Sequence, residues 1–275
     1  MSLLRVEALS KKFGGVNAVE DLSFEIRPGA VYSIIGPNGA GKTTLLNLLT
    51  GVYQPSSGHI VFDGHDLTGR APYEYASHGI ARTFQNLQVF FNMSALENVM
   101  VGRYLKERCG LLSAMLRAPR LARAERACRE EAAELMRYVG LQDYLSTASD
   151  AMPYGALKRL EIARALATEP KLMLLDEPAA GLNPTEALEL DDLIGRLTGR
   201  GVTVVLVEHN MRLVMGVSDH ILVLDYGRKL AEGPALAVRS DPKVIEAYLG
   251  SNAAHDGSFA PEIASAVAAA VAMHR

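Results

Sequence analysis

The sequence contains no tryptophan and only two cysteines, Cys109 and Cys128. The cysteines form no C-x-x-C pair and provide no disulfide framework, so a reducing compartment is the simpler expectation. No apolar run approaches the ~18–20 residues that a membrane-spanning helix needs. The first residues also carry charges where a signal peptide needs an apolar core. If the protein serves a membrane process, we expect it to act from the water side.

Charge of either sign is also modest. The formal net charge is −3 and the isoelectric point is near 6.2, which gives no argument for a nucleic-acid partner. In contrast, 49% of the 275 residues are hydrophobic, which is enough to bury a sizeable core. A chain of this length is large for one compact domain and small for two full ones.

The stretch GPNGAGKT lies between the apolar run Val31–Ile35 and the amphipathic segment Thr44–Leu49. Between a strand and a helix, the pattern G-x-x-x-x-G-K-[ST] predicts a phosphate-binding loop, although an ordinary glycine-rich turn is the alternative. Lys42 would reach the β- and γ-phosphates of a nucleoside triphosphate, and Thr43 would bind Mg²⁺. The predicted nucleotide-binding residues of this loop are Gly36, Pro37, Asn38, Gly39, Ala40, Gly41, Lys42, Thr43 and Thr44.

A second apolar run, Leu172–Leu175, ends in the two acids Asp176 and Glu177. A strand buried on both faces is continuously apolar, as this run is. Asp176 would hold Mg²⁺, and Glu177 would polarise the attacking water. Because apolar strands ending in acids are common, this prediction depends on the phosphate loop that accompanies it.

Two further side chains have both a functional and a structural interpretation. Phe13 is either a platform for a nucleobase or a core aromatic residue. His209 follows the apolar run Val202–Val207, and it either donates to the γ-phosphate or caps the next helix. Gln85 lies at the end of a strand predicted over Ile80–Gln85.

The rest of the chain alternates between predicted strands and one helical region. Leu3–Leu9 predicts an edge strand, as do Ile221–Leu224 and Lys229–Ala231. A helical period begins at Ser94, which has capping-box spacing, and continues to about residue 137. Beyond Gly250 the chain becomes Ala-rich, which predicts a disordered or weakly helical tail.

This set of motifs resembles an ATP-binding-cassette (ABC) ATPase across residues 3–250. The resemblance implies an α/β fold, namely a P-loop ATPase core of mainly parallel sheet flanked by helices, with an antiparallel β edge and an inserted helical subdomain at about 87–165. It implies ATP and Mg²⁺ as cofactors, residues 1–250 as the ATPase domain and 251–275 as a separate tail. The implied roles are adenine stacking by Phe13, Mg²⁺ binding by Thr43, Asp176 and Gln85, partner contact by Gln85, general-base catalysis by Glu177, and γ-phosphate contact by His209.

The family's signature, ideally LSGGQ, falls on Met152–Ala156, where only Gly155 is retained. Taken alone, MPYGA is an ordinary helix start with a proline near its first position. The flanking segment Lys158–Leu166 restores the assignment, so the resemblance implies that Tyr154 and Gly155 contact a nucleotide. Pro153 stands where the family's serine supplies a hydroxyl to the γ-phosphate held by the opposite subunit.

Three stretches look like the ATPase subunits of branched-chain amino-acid importers, namely Gly79–Asn86, Arg159–Arg164 and Asp176–Pro184. Such a subunit is peripheral at the cytoplasmic face of the inner membrane. It works with a second, here unlike, ABC ATPase beneath two transmembrane permease subunits, which an extracytoplasmic binding protein supplies. No nucleic-acid partner is implied. The alternatives are another cargo (urea, another polar solute or an exported lipid), a soluble ABC ATPase acting on DNA or ribosomes, and an inactive regulatory subunit.

The predicted insert also carries six basic residues and a single acid between Arg103 and Arg123. These charges belong either to a solvated helical face or to a surface near anionic lipid headgroups beside the permease.

Overall fold

The computed structural model describes residues 2–103 and 119–252. Its strands are β1 (Leu4–Phe13), β2 (Val16–Ile26), β3 (Val31–Ile35), β4 (Ser57–Phe62), β5 (His65–Asp66), β6 (Ile80–Arg82), β7 (Leu172–Asp176), β8 (Thr203–Val207), β9 (His220–Asp225) and β10 (Arg228–Gly233). The α-helices in these ranges are α1 (Lys42–Leu49), α2 (Pro72–His78), α3 (Ala95–Gly102), α4 (Pro119–Tyr138), α5 (Tyr154–Leu166), α6 (Pro184–Gly199), α7 (Met211–Val217), α8 (Ala235–Arg239) and α9 (Pro242–Asn252).

Six strands form one sheet in the order β10-β9-β3-β8-β7-β6. Neighbouring strands from β9 to β6 are parallel, and β10 runs antiparallel to β9. Every residue of β3, β7 and β8 is buried, which is the pattern of a parallel sheet covered on both faces. This sheet confirms the predicted α/β class and its antiparallel edge.

Four strands form a second, antiparallel sheet in the order β2-β1-β4-β5. The expectation that the first strand lies at an edge is wrong, because β1 pairs with β2 on one side and with β4 on the other. Leu4 is opposite Ile26 in one pair and Phe62 in the other. Alternating hydrophobicity shows that one face of a strand is buried, but it does not show how many neighbours the strand has.

Two more strand predictions need correction. The segment Ile221–Leu224 is not an edge strand, because β9 lies between β3 and β10; the other predicted edge strand, β10, does lie at the edge. The strand predicted over Ile80–Gln85 ends at Arg82, so Gln85 lies in the loop that follows. Strand ends are decided by pairing, and β6 pairs with β7 only up to Arg82.

Helices α3, α4 and α5 occupy the chain between β6 and β7 and pack against one another. The capping box predicted at Ser94 is confirmed: the Ser94 hydroxyl accepts from the Glu97 amide at 3.3 Å, and Glu97 Oε2 accepts from the Ser94 amide at 2.8 Å. Buried residues of these helices, including Met136 and Leu160, share one apolar core with Met173 of the large sheet.

Parts of two predictions lie outside the described residues, namely most of the basic segment between Arg103 and Arg123 and the tail beyond Asn252. Arg103 itself forms ion pairs with Glu131 and Glu169. Helix α9 runs to Asn252, so the predicted boundary at residue 250 falls inside a helix. Among the helices of the described ranges, none combines the length and the apolar character needed to cross a membrane.

Candidate active site

The loop after β3 is shaped by backbone conformations that favour glycine. Gly36, Gly39 and Gly41 have φ values of 153°, 83° and 99°, which residues with a Cβ rarely adopt. A Cβ on Gly36 would overlap the carbonyl oxygen of Leu224, and a Cβ on Gly41 would overlap that of Ala18. Both the conformation and the close packing therefore require glycine at Gly36 and Gly41.

Helix α1 starts directly from this loop. Its N-cap is Gly41, which has no side chain to accept from the first turn, so the first amide groups of the helix are suited to bind an anion. The Lys42 ammonium donates to the carbonyl oxygens of Gly36 and Pro37 at 2.6 and 3.0 Å. Thr43 is exposed in the first turn of the same helix. The loop, the helix start and the lysine together fit the phosphates of a nucleotide.

The carboxylate of Asp176 lies at the end of β7 and pairs with Arg82 at the end of the neighbouring strand β6. The Arg82 guanidinium donates to Asp176 Oδ2 at 2.8 Å and to Asn47 Oδ1 of α1 at 2.6 Å. Both partners of the ion pair are only 6% exposed. Removing one member of such a buried pair typically costs about 3–5 kcal/mol, because the other charge is left uncompensated.

The three residues predicted to be catalytic lie together. Gln85 Nε2 donates to Glu177 Oε2 at 2.8 Å, and His209 Nδ1 lies 3.9 Å from the same oxygen. Burial lowers the pKa of the Lys42 ammonium, and the nearby carboxylates of Glu177 and Asp176 oppose that shift. The catalytic candidates are therefore close to the phosphate loop.

The predicted metal ligands have chemistry that suits Mg²⁺. They are the hydroxyl of Thr43, the carboxylate of Asp176 and the amide oxygen of Gln85, which are all hard oxygen donors. Mg²⁺ usually takes one or two protein ligands and completes its coordination with substrate phosphates and water. The donor set fits a metal held jointly by the protein and a nucleotide.

Phe13 is 43% exposed at the end of β1 and is not a core residue. Its ring meets the ring of Tyr53 edge-on at 5.2 Å, and the Lys11 ammonium lies 5.0 Å from its centroid. The next strand, β2, reaches the phosphate loop where Ala18 approaches Gly41. Phe13 is therefore available for stacking near that loop.

Tyr154 and Gly155 lie in a second position, at the start of α5. Tyr154 is 44% exposed and packs against Gly181, and a Cβ on Gly155 would overlap the carboxylate of Glu186. Pro153 is the N-cap of α5 and makes no side-chain hydrogen bond to the helix. These contacts place the two residues beside the segment that follows Glu177.

A model of the family described as "ABC transporter" matches residues 19–180, which is more than half of the chain. The chain belongs to the ABC transporter family. A second family model, described as "Branched-chain amino acid ATP-binding cassette transporter", matches residues 228–254 of this ABC protein.

Relatives of this ABC protein match it over nearly their whole length. It is 43% identical over 249 residues to the high-affinity branched-chain amino acid transport ATP-binding protein BraF of Pseudomonas aeruginosa, covering 90% of this chain and 98% of that protein. The same values apply to LivG of Escherichia coli, which carries the same description. A probable branched-chain amino acid transport ATP-binding protein LivG of Archaeoglobus fulgidus is 34% identical over 265 residues, covering 91% of this chain and 96% of the relative.

Solved structures agree with this assignment. A nucleotide-free ATP-binding cassette from an ABC transporter superposes with a TM-score of 0.78 at 33% identity, covering 90% of this chain and 99% of that chain. The ADP conformation of an ATP-binding cassette of an ABC transporter gives the same TM-score and identity, covering 91% and 99%. The protein thus has the fold of an ABC ATPase, and the ATPase class predicted from its motifs is confirmed.

Two charged residues of this ABC ATPase were missed by sequence reasoning, although a usable signal was present. Arg82 lies in a strand, and Glu208 directly follows the apolar strand β8. Both are buried side chains at strand ends that approach the site. A charged residue at the end of an apolar strand was the signal that identified Asp176, and it applies equally to these two.

Lys158 and Glu161 of α5 were also missed. Lys158 Nζ donates to the carbonyl oxygen of Gln85 at 2.9 Å, and Glu161 Oε1 accepts from the Gln88 amide at 2.6 Å. Both side chains are buried, so α5 holds the loop that carries Gln85 by its backbone. No local pattern predicts this contact, because the partners are separated by more than 70 residues in the chain.

Proposed function

We propose that this ABC ATPase hydrolyses ATP for a membrane importer of branched-chain or related amino acids. The observation that carries the catalytic part is the position of the Glu177 carboxylate, which Gln85 holds at 2.8 Å and which lies close to Lys42 of the phosphate loop. The cargo is supported by the description of the relatives at 43% identity and by the family match over residues 228–254.

In this proposal the loop amides and Lys42 bind the β- and γ-phosphates, and Phe13 stacks on the adenine. Thr43, Asp176 and Gln85 would hold Mg²⁺, which neutralises phosphate charge when it is bound. Arg82 keeps the Asp176 carboxylate in one orientation.

Glu177 would act as the general base. It accepts a proton from a water molecule as the water oxygen attacks the γ-phosphorus, and the bond to the bridging oxygen of ADP breaks. His209, 3.9 Å from the Glu177 carboxylate, would donate a hydrogen bond to the γ-phosphate. Lys42 stabilises the charge that develops on the phosphoryl oxygens.

We infer that a second ABC ATPase completes the site. Tyr154 and Gly155 lie at the start of α5 beside the segment after Glu177, and this position supports the proposal that they contact the nucleotide of a partner subunit. Pro153 makes this chain's signature irregular, which favours a partner that is not identical. The helical subdomain at about 87–165 and the ATPase domain of residues 1–250 are part of the same proposal.

We also propose that a permease docks in a groove of about 570 Å³ between the loop after β6 and α5. Phe84 and Phe90 line this groove and are exposed. Glu161 lines it too, and within the described residues its Oε2 atom has no hydrogen-bond partner. A permease segment with apolar side chains would complement the exposed aromatic residues of this surface, whereas Glu161 is itself buried. The chain would then lie at the cytoplasmic face of the membrane, with an extracytoplasmic binding protein as an indirect partner.

The catalytic assignment is tested by Glu177→Gln in the assembled transporter. The variant should bind ATP but lose turnover by ~10²–10⁴-fold, which is the usual loss when a general base is removed. Glu25→Gln, at an exposed position of β2, is the matched control and should hydrolyse ATP like the wild type. Wild-type turnover by Glu177→Gln would refute the assignment.

The cargo is tested by transport in proteoliposomes that contain the complete transporter and its binding protein. We expect ATP-dependent uptake of leucine, isoleucine or valine. Uptake of urea or another polar solute, with none of these amino acids, would contradict the proposed cargo and leave the ATPase assignment intact.

A further inference from the structure

Glu208 directly follows β8 and is buried, with its side chain 1% exposed. Its carboxylate accepts hydrogen bonds from three backbone amides. Oε1 accepts from the Ala179 amide at 2.8 Å, and Oε2 accepts from the amides of His209 and Asn210 at 3.1 and 3.3 Å. The two carboxylate oxygens therefore accept hydrogen bonds from two different loops.

The first loop carries Glu177 in a strained conformation. Its φ is 46°, a value that costs energy for a residue with a Cβ and that persists only where the surroundings enforce it. The Glu177 amide donates to the carbonyl oxygen of Val207 at 2.8 Å, which holds the start of the turn. The bond from Ala179 to Glu208 holds the turn two residues later.

The second loop carries His209, whose side chain is 65% exposed and whose Nδ1 lies 3.9 Å from Glu177 Oε2. Glu208 is not needed to cap the helix that follows this loop. The N-cap of α7 is Asn210, whose Oδ1 accepts from the Leu213 amide at 3.2 Å. The buried carboxylate thus has a position and a set of partners that capping does not explain.

We propose that Glu208 is a positioning residue. Its carboxylate holds the turn after Glu177 (residues 177–182) against the loop that carries His209 (residues 208–212). The inference rests on the roles proposed above for Glu177 and His209. A carboxylate can accept hydrogen bonds with both oxygens, whereas a glutamine amide has one acceptor and one donor. In Glu208→Gln the NH₂ group replaces one of the two acceptor oxygens and faces backbone N–H groups, which are also donors. Either the Ala179 amide or the amides of His209 and Asn210 therefore lose their acceptor.

The test compares Glu208→Gln with Thr203→Val and Glu177→Gln in the full-length chain of the assembled transporter. Thr203 lies at the opposite end of β8, where its hydroxyl accepts from the Gly29 amide at 2.9 Å. Thr203→Val therefore also removes a buried side-chain bond to a backbone amide, but far from the site. The measurements are kcat, KM for ATP, thermal unfolding and amide hydrogen exchange.

We expect Glu208→Gln to lower kcat by ~10–100-fold, which corresponds to the loss of one hydrogen bond to a charged group. KM for ATP should change by less than about twofold, because the phosphate loop is intact. Amides in residues 177–182 or 208–212 should exchange faster while those of β7 stay protected. Thr203→Val should lower the unfolding temperature and leave kcat unchanged.

Unchanged kcat in Glu208→Gln, together with inactive Glu177→Gln, would overturn this inference alone. Wild-type turnover in Glu177→Gln would instead overturn the proposed function. If Glu208→Gln does not fold, hydrogen exchange on the wild type decides, because locked loops must open together. Equal opening rates for the two loops would support the lock, and clearly different rates would refute it.

Discussion

The N-cap of α1 is Gly41, which has a left-handed backbone, whereas the N-cap of α5 is Pro153, whose φ of −66° and ψ of 155° are extended. Neither helix has a side-chain cap. At α1 the Lys42 ammonium reaches back to the carbonyl oxygens of Gly36 and Pro37 in the loop. At α5 the start of the helix instead packs against Gly181 and Glu186 of the same chain.

The two helix starts therefore differ in backbone conformation and in what they contact. The start of α1 combines the glycine-rich loop, uncapped backbone amides and the Lys42 ammonium within one short stretch of chain. In the proposed contact at α5, Pro153 has neither the hydroxyl of a serine nor a backbone N–H, so this helix start offers fewer donors. The two ATP sites of a paired ATPase would therefore differ in strength unless the partner carries the same irregularity.

We expect the largest loss of stability and of ATP binding from a substitution of Gly36, in the loop before α1. In Gly36→Ala the new Cβ would overlap the Leu224 carbonyl oxygen, and overpacking of this kind costs about 1–3 kcal/mol or more. We expect a lower unfolding temperature and no measurable binding of a fluorescent ATP analogue. Gly195→Ala, in open space on α6, is the control and should stabilise the helix by about 0.5–1 kcal/mol. Normal ATP binding by Gly36→Ala would show that the loop accommodates a Cβ at this position.

The predicted inequality of the two sites is tested by disabling each catalytic glutamate in turn within the assembled transporter. One missing hydrogen bond to a charged group corresponds to ~10–100-fold in rate. The site that uses this chain's Lys42 and Glu177 should carry most of the turnover, so Glu177→Gln should cost much more activity than the same change in the partner ATPase. Equal losses from the two changes would show that the sites are equivalent.

Pro153→Ser should restore a hydroxyl and a backbone N–H at the start of α5. The new hydroxyl can cap the helix, which typically stabilises by about 0.5–2 kcal/mol, and it adds a donor for the partner's nucleotide. We expect a higher unfolding temperature and a several-fold gain in turnover, measured with Glu177 disabled so that only the weaker site contributes. A gain in stability without any gain in turnover would leave Pro153 a structural residue only.

The smallest expected effect concerns Glu161 of α5. Burial raises the pKa of its carboxyl above the ordinary value, whereas the hydrogen bond from the Gln88 amide and the charges of Lys158 and Arg164 lower it. A raised folded-state pKa contributes stability below the unfolded-state pKa, and that contribution is lost as pH rises through the folded-state pKa. The unfolding temperature of Glu161→Gln relative to the wild type should therefore increase as pH rises from about 4 to 7. An exposed control, Glu25→Gln, should show no such trend, and a flat difference for Glu161→Gln would refute the prediction.

The sequence by itself determined the glycine-rich loop between β3 and α1, because the positive φ values of Gly36, Gly39 and Gly41 are a local preference of glycine. It also determined the apolar strands β3, β7 and β8, because a strand covered on both faces must be apolar throughout. The capping box at Ser94 is local in the same sense. These features follow from local sequence, whereas the close packing of Gly36 on Leu224 and of Gly41 on Ala18 does not.

Tertiary structure alone decided which strands are internal and which buried charges meet. β1 pairs with β4 as well as with β2, and β9 pairs with β3 as well as with β10. The hydrophobic pattern of a strand does not specify which strands it pairs with. The pairing of Arg82 with Asp176 and the contact of Glu208 with Ala179 likewise join segments far apart in sequence. Hydrogen bonds between such segments depend on how the sheet brings strand ends together, so they follow from the fold and not from any local motif.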